Sequence, residues 1–346
     1  MAAIAPSRPL TGLAAAGALA AILAALAATT LSVIAPLAVY SLTLAAFGLP
    51  HVLSELRYVD RRFGRGLGLK TVIAMAALLA AIVAARAAGL FHLLRPETEA
   101  PLELGLVACL ALTAARGGLA AKAVAISVGL AIGLLAMVDP FETTIGFAIL
   151  HNLTPLGFLW QLAPRRHRAV VMGWASAAFI GLPLLVASGA PRRLLAAAGV
   201  GGSPLDPLAA GPVAWHLPVY VPYHLLSSAN AIDLFTGSVV AQQAHYAAVI
   251  VVLPLLLSRW SPGARGLVAW PRGLVFYALA ALAAAVAFSG FAVSFVGARA
   301  LYSLLAAIHA WIEIPILITA LTAPQPVNKS PAANEALLAT SESSMA

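Results

Sequence analysis

The chain has 346 residues, 62% hydrophobic and only 9% charged, where a soluble domain carries roughly a quarter charged residues. That composition excludes a soluble globular protein. The formal net charge of +8 does not point to nucleic acid, because the Lys and Arg residues cluster in short loops, as membrane-orientation signals do. Cys109 is the only cysteine, which excludes an internal disulfide and a Cys-rich metal site.

From Leu10 to Ser54 no Asp, Glu, Lys or Arg occurs. One span needs about 20 apolar residues, so this stretch holds two, and the first runs on too far for a cleaved signal peptide. The expectation is an all-α, polytopic transmembrane bundle of about 10–11 spans. Taken in order these lie near 10–31, 36–57, 69–90, 102–116, 119–138, 142–163, 168–189, 215–236, 239–258, 273–296 and 299–322. They form one integral membrane domain over 1–322. Residues 323–346 are polar and Pro/Ser-rich, and read as a disordered tail.

Basic clusters orient the bundle. They are Arg57, Arg61, Arg62, Arg65 and Lys70, then Arg165, Arg166 and Arg168, then Arg259, Arg265 and Arg272. All belong on the cytoplasmic side, with the C-terminal tail, and the acidic stretch Arg95–Glu103 belongs outside. The setting expected is a bacterial cytoplasmic membrane. One inconsistency follows: three spans separate Arg168 from Arg259, where an even number is required. Either 191–214 holds a further apolar segment or a piece near Pro218 and Pro222 is re-entrant.

Five histidines lie on or beside the spans: His51, His151, His224, His245 and His309. A polar imidazole in hydrocarbon is costly and usually functional, and imidazole is the commonest metal ligand. His51 is followed by Glu55, and His309 by Glu313. The i,i+4 spacing puts each pair on one helix face, where the carboxylate can ligate a metal or orient an imidazole; Glu55 could equally pair with Arg57 or Arg61. His151 is mid-span, with Asn152 and Thr154 adding hydrogen-bonding groups and Pro155 freeing a backbone carbonyl. His224 ends a stretch rich in polar aromatics, Trp215–His224, that includes His216, Tyr220 and Tyr223. His245 follows Gln242 and Gln243. His92 and His167, beside loop arginines, read as solvated.

Two segments align without gaps: His51–Asp60 and His224–Asp233. Each has His, then Leu-Ser, then Asp at the same offset. A two-fold repeat with halves 1–165 and 166–322 is expected from this, and repeat interfaces often hold the site. The reading that follows takes His51, His151, His224 and His309 as metal ligands. Glu313 and His245 act beside the metal, and Glu55, Asp233, Asn152 and Tyr223 support it.

Histidines with some carboxylate suit non-haem iron, copper or zinc. No HExxH pattern for zinc hydrolysis occurs, nor desaturase-type boxes, and a bis-histidine haem needs only two facing histidines. The segment Phe47-Gly-Leu-Pro-His51 resembles the GLPHG…D motif of the bacterial β-carotene 15,15′-dioxygenases of the Brp/Blh type. Val52 stands where that family has glycine, and the next acid is Glu55. The resemblance, over about ten residues, implies histidine-bound iron that cleaves a carotenoid to retinal.

The function expected is therefore a membrane metal-dependent oxygenase using iron (Fe2+) on an apolar small molecule from the lipid bilayer, with no nucleic-acid partner. Two other classes fit the same residues. One is a proton-coupled transporter or channel, with Asp233 and Glu313 as proton carriers; the other is a haem-binding electron-transfer subunit. The Ala- and Gly-rich spans permit close packing within one chain or between chains alike.

Overall fold

The computed structural model describes residues 11–261 and 265–322, so the expected disordered tail at 323–346 lies outside the described residues. Those residues form an all-α bundle with no strand among them. Among the described residues, eight helices are long and apolar enough to cross a membrane. In chain order the helices are α1 (Thr11–Ile34), α2 (Pro36–Leu67), α3 (Leu69–Leu90), α4 (Pro96–Arg116) and α5 (Leu119–Val138). Next come the half-length α6 (Pro140–His151) and α7 (Thr154–Leu162), then α8 (Arg165–Ala187) and the short α9 (Ala190–Ala197). The last are α10 (Ala231–Trp260), α11 (Gly273–Val293) and α12 (Phe295–Thr322).

The expected spans at 215–236 and 239–258 are corrected. One helix, α10, replaces both, and residues 213–225 form three short 3-10 turns. Pro212, Pro218 and Pro222 explain this: each removes a backbone donor and disfavours helix in the residue before it. Only α8 and α10 then lie between Arg168 and Arg259. The number of crossings is even, and the charge inconsistency disappears. The acidic stretch Arg95–Glu103 is likewise not a loop, because α4 starts at Pro96 with Glu97 and Glu99 in its first turn.

The expected span at 142–163 is broken at Asn152 and Leu153. Pro155 has no N–H to offer the His151 carbonyl, and the Thr154 hydroxyl lies 2.7 Å from that oxygen instead. Prolines shape α8 and α10 too. The π turns Ala177–Gly181 and Ala248–Val252 sit just ahead of Pro183 and Pro254, where a widened turn absorbs the missing donor.

The aligned segments 51–60 and 224–233 differ in structure. The first is helical in α2, while the second begins in the 3-10 turn Tyr223–Leu225 and joins α10 only at Ala231. Their aspartates also differ. Asp60 accepts hydrogen bonds from the Leu267 and Val268 backbone and the Trp270 indole, tying the α10–α11 connection to α2. Asp233 pairs with Arg192 at 2.6 Å.

Packing places the core around α2, α10 and α12. A large apolar cluster on one side includes Tyr58, Phe158, Leu253 and Ile316. A second, on the other side, includes Tyr40, Tyr220, Phe235 and Phe295. At Gly237 of α10 an added Cβ would lie 2.7 Å from the Pro183 carbonyl oxygen and 2.9 Å from Ala187 Cβ. The missing side chain therefore sets how closely α8 and α10 approach.

Candidate metal centre

His51, His151, His245 and His309 converge between the two clusters. One ring nitrogen from each lies within 4.8 Å of all the others. Regular helix geometry accounts for the depth. His245 stands fourteen residues after the first residue of α10, His309 fourteen after that of α12, and His51 fifteen after that of α2. At 1.5 Å per residue all three lie about 21 Å along their helices. His151 is the last residue of α6, just ahead of the break that Pro155 imposes.

The local contacts fix the ring orientations. Nδ1 of His51 lies 3.2 Å from the Phe47 carbonyl oxygen, one turn back in its own helix. A carbonyl only accepts, so the proton sits on Nδ1 and the Nε2 lone pair faces inward. Nδ1 of His151 is 2.5 Å from Oε2 of Glu313, and by the same logic its Nε2 lone pair faces inward. Nε2 of His309 then lies 2.9 Å from Nε2 of His51 and 3.2 Å from Nε2 of His151. With these two lone pairs inward, His309 either donates its Nε2 proton to one of them or carries its proton on the unpartnered Nδ1 and turns a third lone pair to the same point, as a bound metal ion requires. Bonds of about 2.0–2.1 Å to a common ion put adjacent nitrogens about 2.9 Å apart in an octahedron and about 3.3 Å apart in a tetrahedron. The observed spacings fit, and the four histidines could hold a metal ion.

The carboxylates sit behind the imidazoles. Glu313 is fully buried; its Oε2 takes the His151 proton and its Oε1 lies 2.6 Å from the Thr154 hydroxyl. Glu55, also fully buried, lies with Oε2 3.6 Å from Nε2 of His245. Each His-x-x-x-Glu helix thus contributes its own histidine to the cluster and sets its carboxylate behind the histidine of a different helix. α12 serves α6 in this way, and α2 serves α10. Among the described residues no Lys or Arg bonds either carboxylate. A buried carboxylate without a cationic partner is costly in its charged form, and a divalent cation on neutral imidazoles would favour that form.

Of the four expected ligands, three are brought together and His224 is not. Its side chain is 70% exposed and bonds Oε1 of Glu142 at 3.1 Å, because the prolines before it keep it in the loop outside α10. His245, expected only beside the metal, takes the fourth place. Asp233 is held by Arg192 and lies outside the cluster, and Tyr223 is exposed. Asn152 is buried next to His151 but donates to the Ala148 carbonyl in its own helix. Trp311 donates to Glu103, which also binds Arg86 at 2.8 Å.

Tyr246 was not singled out by the sequence, whereas His216, read there among the polar aromatic groups beside His224, proves to hold a loop. The Tyr246 ring stacks at 4.3 Å on His51, and its hydroxyl accepts from Gln242 at 2.7 Å. His216 is fully buried; its Nε2–H donates to the Ala210 carbonyl and its Nδ1 accepts from Arg299 at 2.7 Å. It pins the loop at 198–230 to the first turns of α12. The signal for Tyr246 was a polar ring beside His245, which in a membrane chain is too common to single it out.

Comparisons with protein-family models, with curated proteins and with solved structures find no match for this chain.

Proposed function

We propose that the protein is an integral-membrane, non-haem iron oxygenase acting on an apolar, lipid-soluble substrate. The observation that carries this reading is the convergence of one ring nitrogen each from His51, His151, His245 and His309 at mid-bundle. Four imidazoles with carboxylates behind them suit iron, copper or zinc. Nitrogen separations that run from 2.9 Å towards the 4.8 Å limit span more than the edges of a tetrahedron, about 3.3 Å. They select no coordination geometry, and iron is preferred on the donor set and on the resemblance at Phe47–His51. A porphyrin would need the space that the other two histidines fill, so the haem reading fits less well.

Iron(II), held by these four histidines, would supply the chemistry of dioxygen reduction. The chain's own residues do the rest. Glu313 and Thr154 orient His151, and the Phe47 carbonyl orients His51. The apolar walls keep water from the centre. The resemblance at Phe47–His51 supports a carotenoid as the substrate. The basic clusters at Arg57–Lys70, Arg165–Arg168 and Arg259–Arg272 support a cytoplasmic C-terminus, with α2, α6, α10 and α12 all running inward. In the competing transporter reading Asp233 would carry protons, but its pairing with Arg192 suits a structural role better.

The test is metal analysis of the purified protein together with retinal production in β-carotene-accumulating cells. Near-stoichiometric iron lost in His151→Ala and His309→Ala, with retinal formed by the wild type alone, supports the proposal. Iron without retinal would retain the centre and reject the carotenoid. Absence of any metal would reject the centre.

A further inference from the structure

The four histidines are not equally enclosed. The His151 side chain is 18% exposed, whereas His51, His245 and His309 are at most 2% exposed. The centre is closed towards both ends of the bundle. On the loop side, Tyr40, Tyr220, Phe235 and Phe295 pack edge to face around buried His216. On the side of the basic clusters, Tyr58, Phe63 and Phe158 form an aromatic plug. Among the described residues, His151 is the one histidine of the four whose side chain reaches the surface.

That side chain lies at the depth of the hydrocarbon. His151 is eleven residues beyond Pro140, about 17 Å along α6, and a bilayer core is about 30 Å thick. Its sequence neighbour Leu150 is 56% exposed. The wall at this point is also the least anchored. Of the twelve residues of α6 only Ile145 is buried, and α6 stops at His151 instead of continuing across. Phe147 and Ala148, one turn earlier on the same face as His151, are each half-buried. Phe147 packs at 5.5 Å on Trp311, while Ala148 meets the Tyr40–Phe235 cluster. His151 therefore sits at a seam between the two cores.

We propose that an apolar substrate reaches the metal centre sideways from the bilayer, through this seam beside α6, with Phe147 and Ala148 setting its width. This rests on the metal-centre reading above. A molecule dissolved among the lipid chains meets the centre at the partly exposed His151.

The test uses the full chain in lipid vesicles, loaded with Co2+, whose absorption spectrum reports ligand exchange. The probes are 1-dodecylimidazole, which partitions into the bilayer, and imidazole-4-sulfonate, which stays in water. Cobalt stoichiometry is measured first, and a wild type that takes up no cobalt rejects the metal-centre reading itself. With cobalt bound, dodecylimidazole is expected to change the spectrum at least tenfold faster than the sulfonate. Ala148→Phe should slow it about tenfold, and Phe147→Ala should speed it several-fold, both with unchanged cobalt content. Equal rates for the two probes overturn the proposal. So does a Phe147→Ala rate at or below wild type, which decides the matter even where Ala148→Phe fails to fold.

Discussion

Oε2 of Glu313 and Nδ1 of His151 lie 2.5 Å apart, although 162 residues separate them in the chain. The pairing makes the break after α6 intelligible. Pro155 frees the His151 carbonyl, Thr154 turns towards it, and the same hydroxyl reaches Glu313. One local irregularity thus fixes a ring that a continuous helix would leave to rotate. Glu313→Gln keeps the shape but removes the charge that raises the basicity of His151. Loss of such an outer partner costs metal affinity about 10–100-fold. Competition titration with a metal chelator should show a drop in that range, and Thr154→Val should show a smaller one. Wild-type affinity in Glu313→Gln would mean that the carboxylate does not serve the centre.

The exchange of His245 for His224 separates what the fold dictates from what the sequence suggested. His245→Ala should reduce bound metal to a small fraction of wild type. His224→Ala should leave it unchanged, since that imidazole is exposed and bonds only Glu142. Metal-to-protein ratios after purification decide between the two. The opposite pattern would place the centre elsewhere.

Much of this was legible in the residues. The charge-free stretch from Leu10 to Ser54 announced membrane helices, and His51–Glu55 and His309–Glu313 announced two inward faces. Pro155 beside His151 announced a freed carbonyl. His245 was undervalued because the span boundaries were wrong: with 215–236 taken as helix, His224 stood at mid-span and His245 near an end. Prolines at 212, 218 and 222 were the signal that should have moved the helix start to Ala231, which puts His245 at the depth of His309. The cross-pairing of Glu313 with His151 and of Glu55 with His245 was not legible, since it depends on which helices become neighbours.

Close approach of α8 and α10 supplies a stability prediction. A side chain at Gly237 meets the backbone of Pro183 and Ala187, which cannot turn aside as a side chain would. Gly237→Leu should destabilise the bundle by about 1–3 kcal/mol, the usual cost of overpacking. A thermal unfolding scan in detergent would register it as a lower midpoint. An unchanged midpoint would show that the two helices can separate freely.

His216 supplies a pH prediction. Burial lowers its pKa below 6.5, and the Arg299 charge adds to this, against the opposing Ala210 hydrogen bond and Asp206 charge. Below 6.5 the unfolded loop binds a proton that the folded loop refuses. The stabilising effect of the neutral ring is therefore complete above that pH and is lost as pH falls through the interval beneath it. Amide exchange in residues 198–230 should quicken between pH 7 and about 5.5 in the wild type. In His216→Gln that dependence should be largely absent. Equal pH dependence in both proteins would remove His216 from the account.

X-ray absorption at the metal edge tests the centre most directly. The account predicts one iron per chain with four imidazole nitrogens at about 2.0–2.1 Å, falling to three in a metal-retaining His245→Gln variant. A purified, folded protein with no bound metal, or with a metal whose spectrum lacks imidazole scattering, would contradict it.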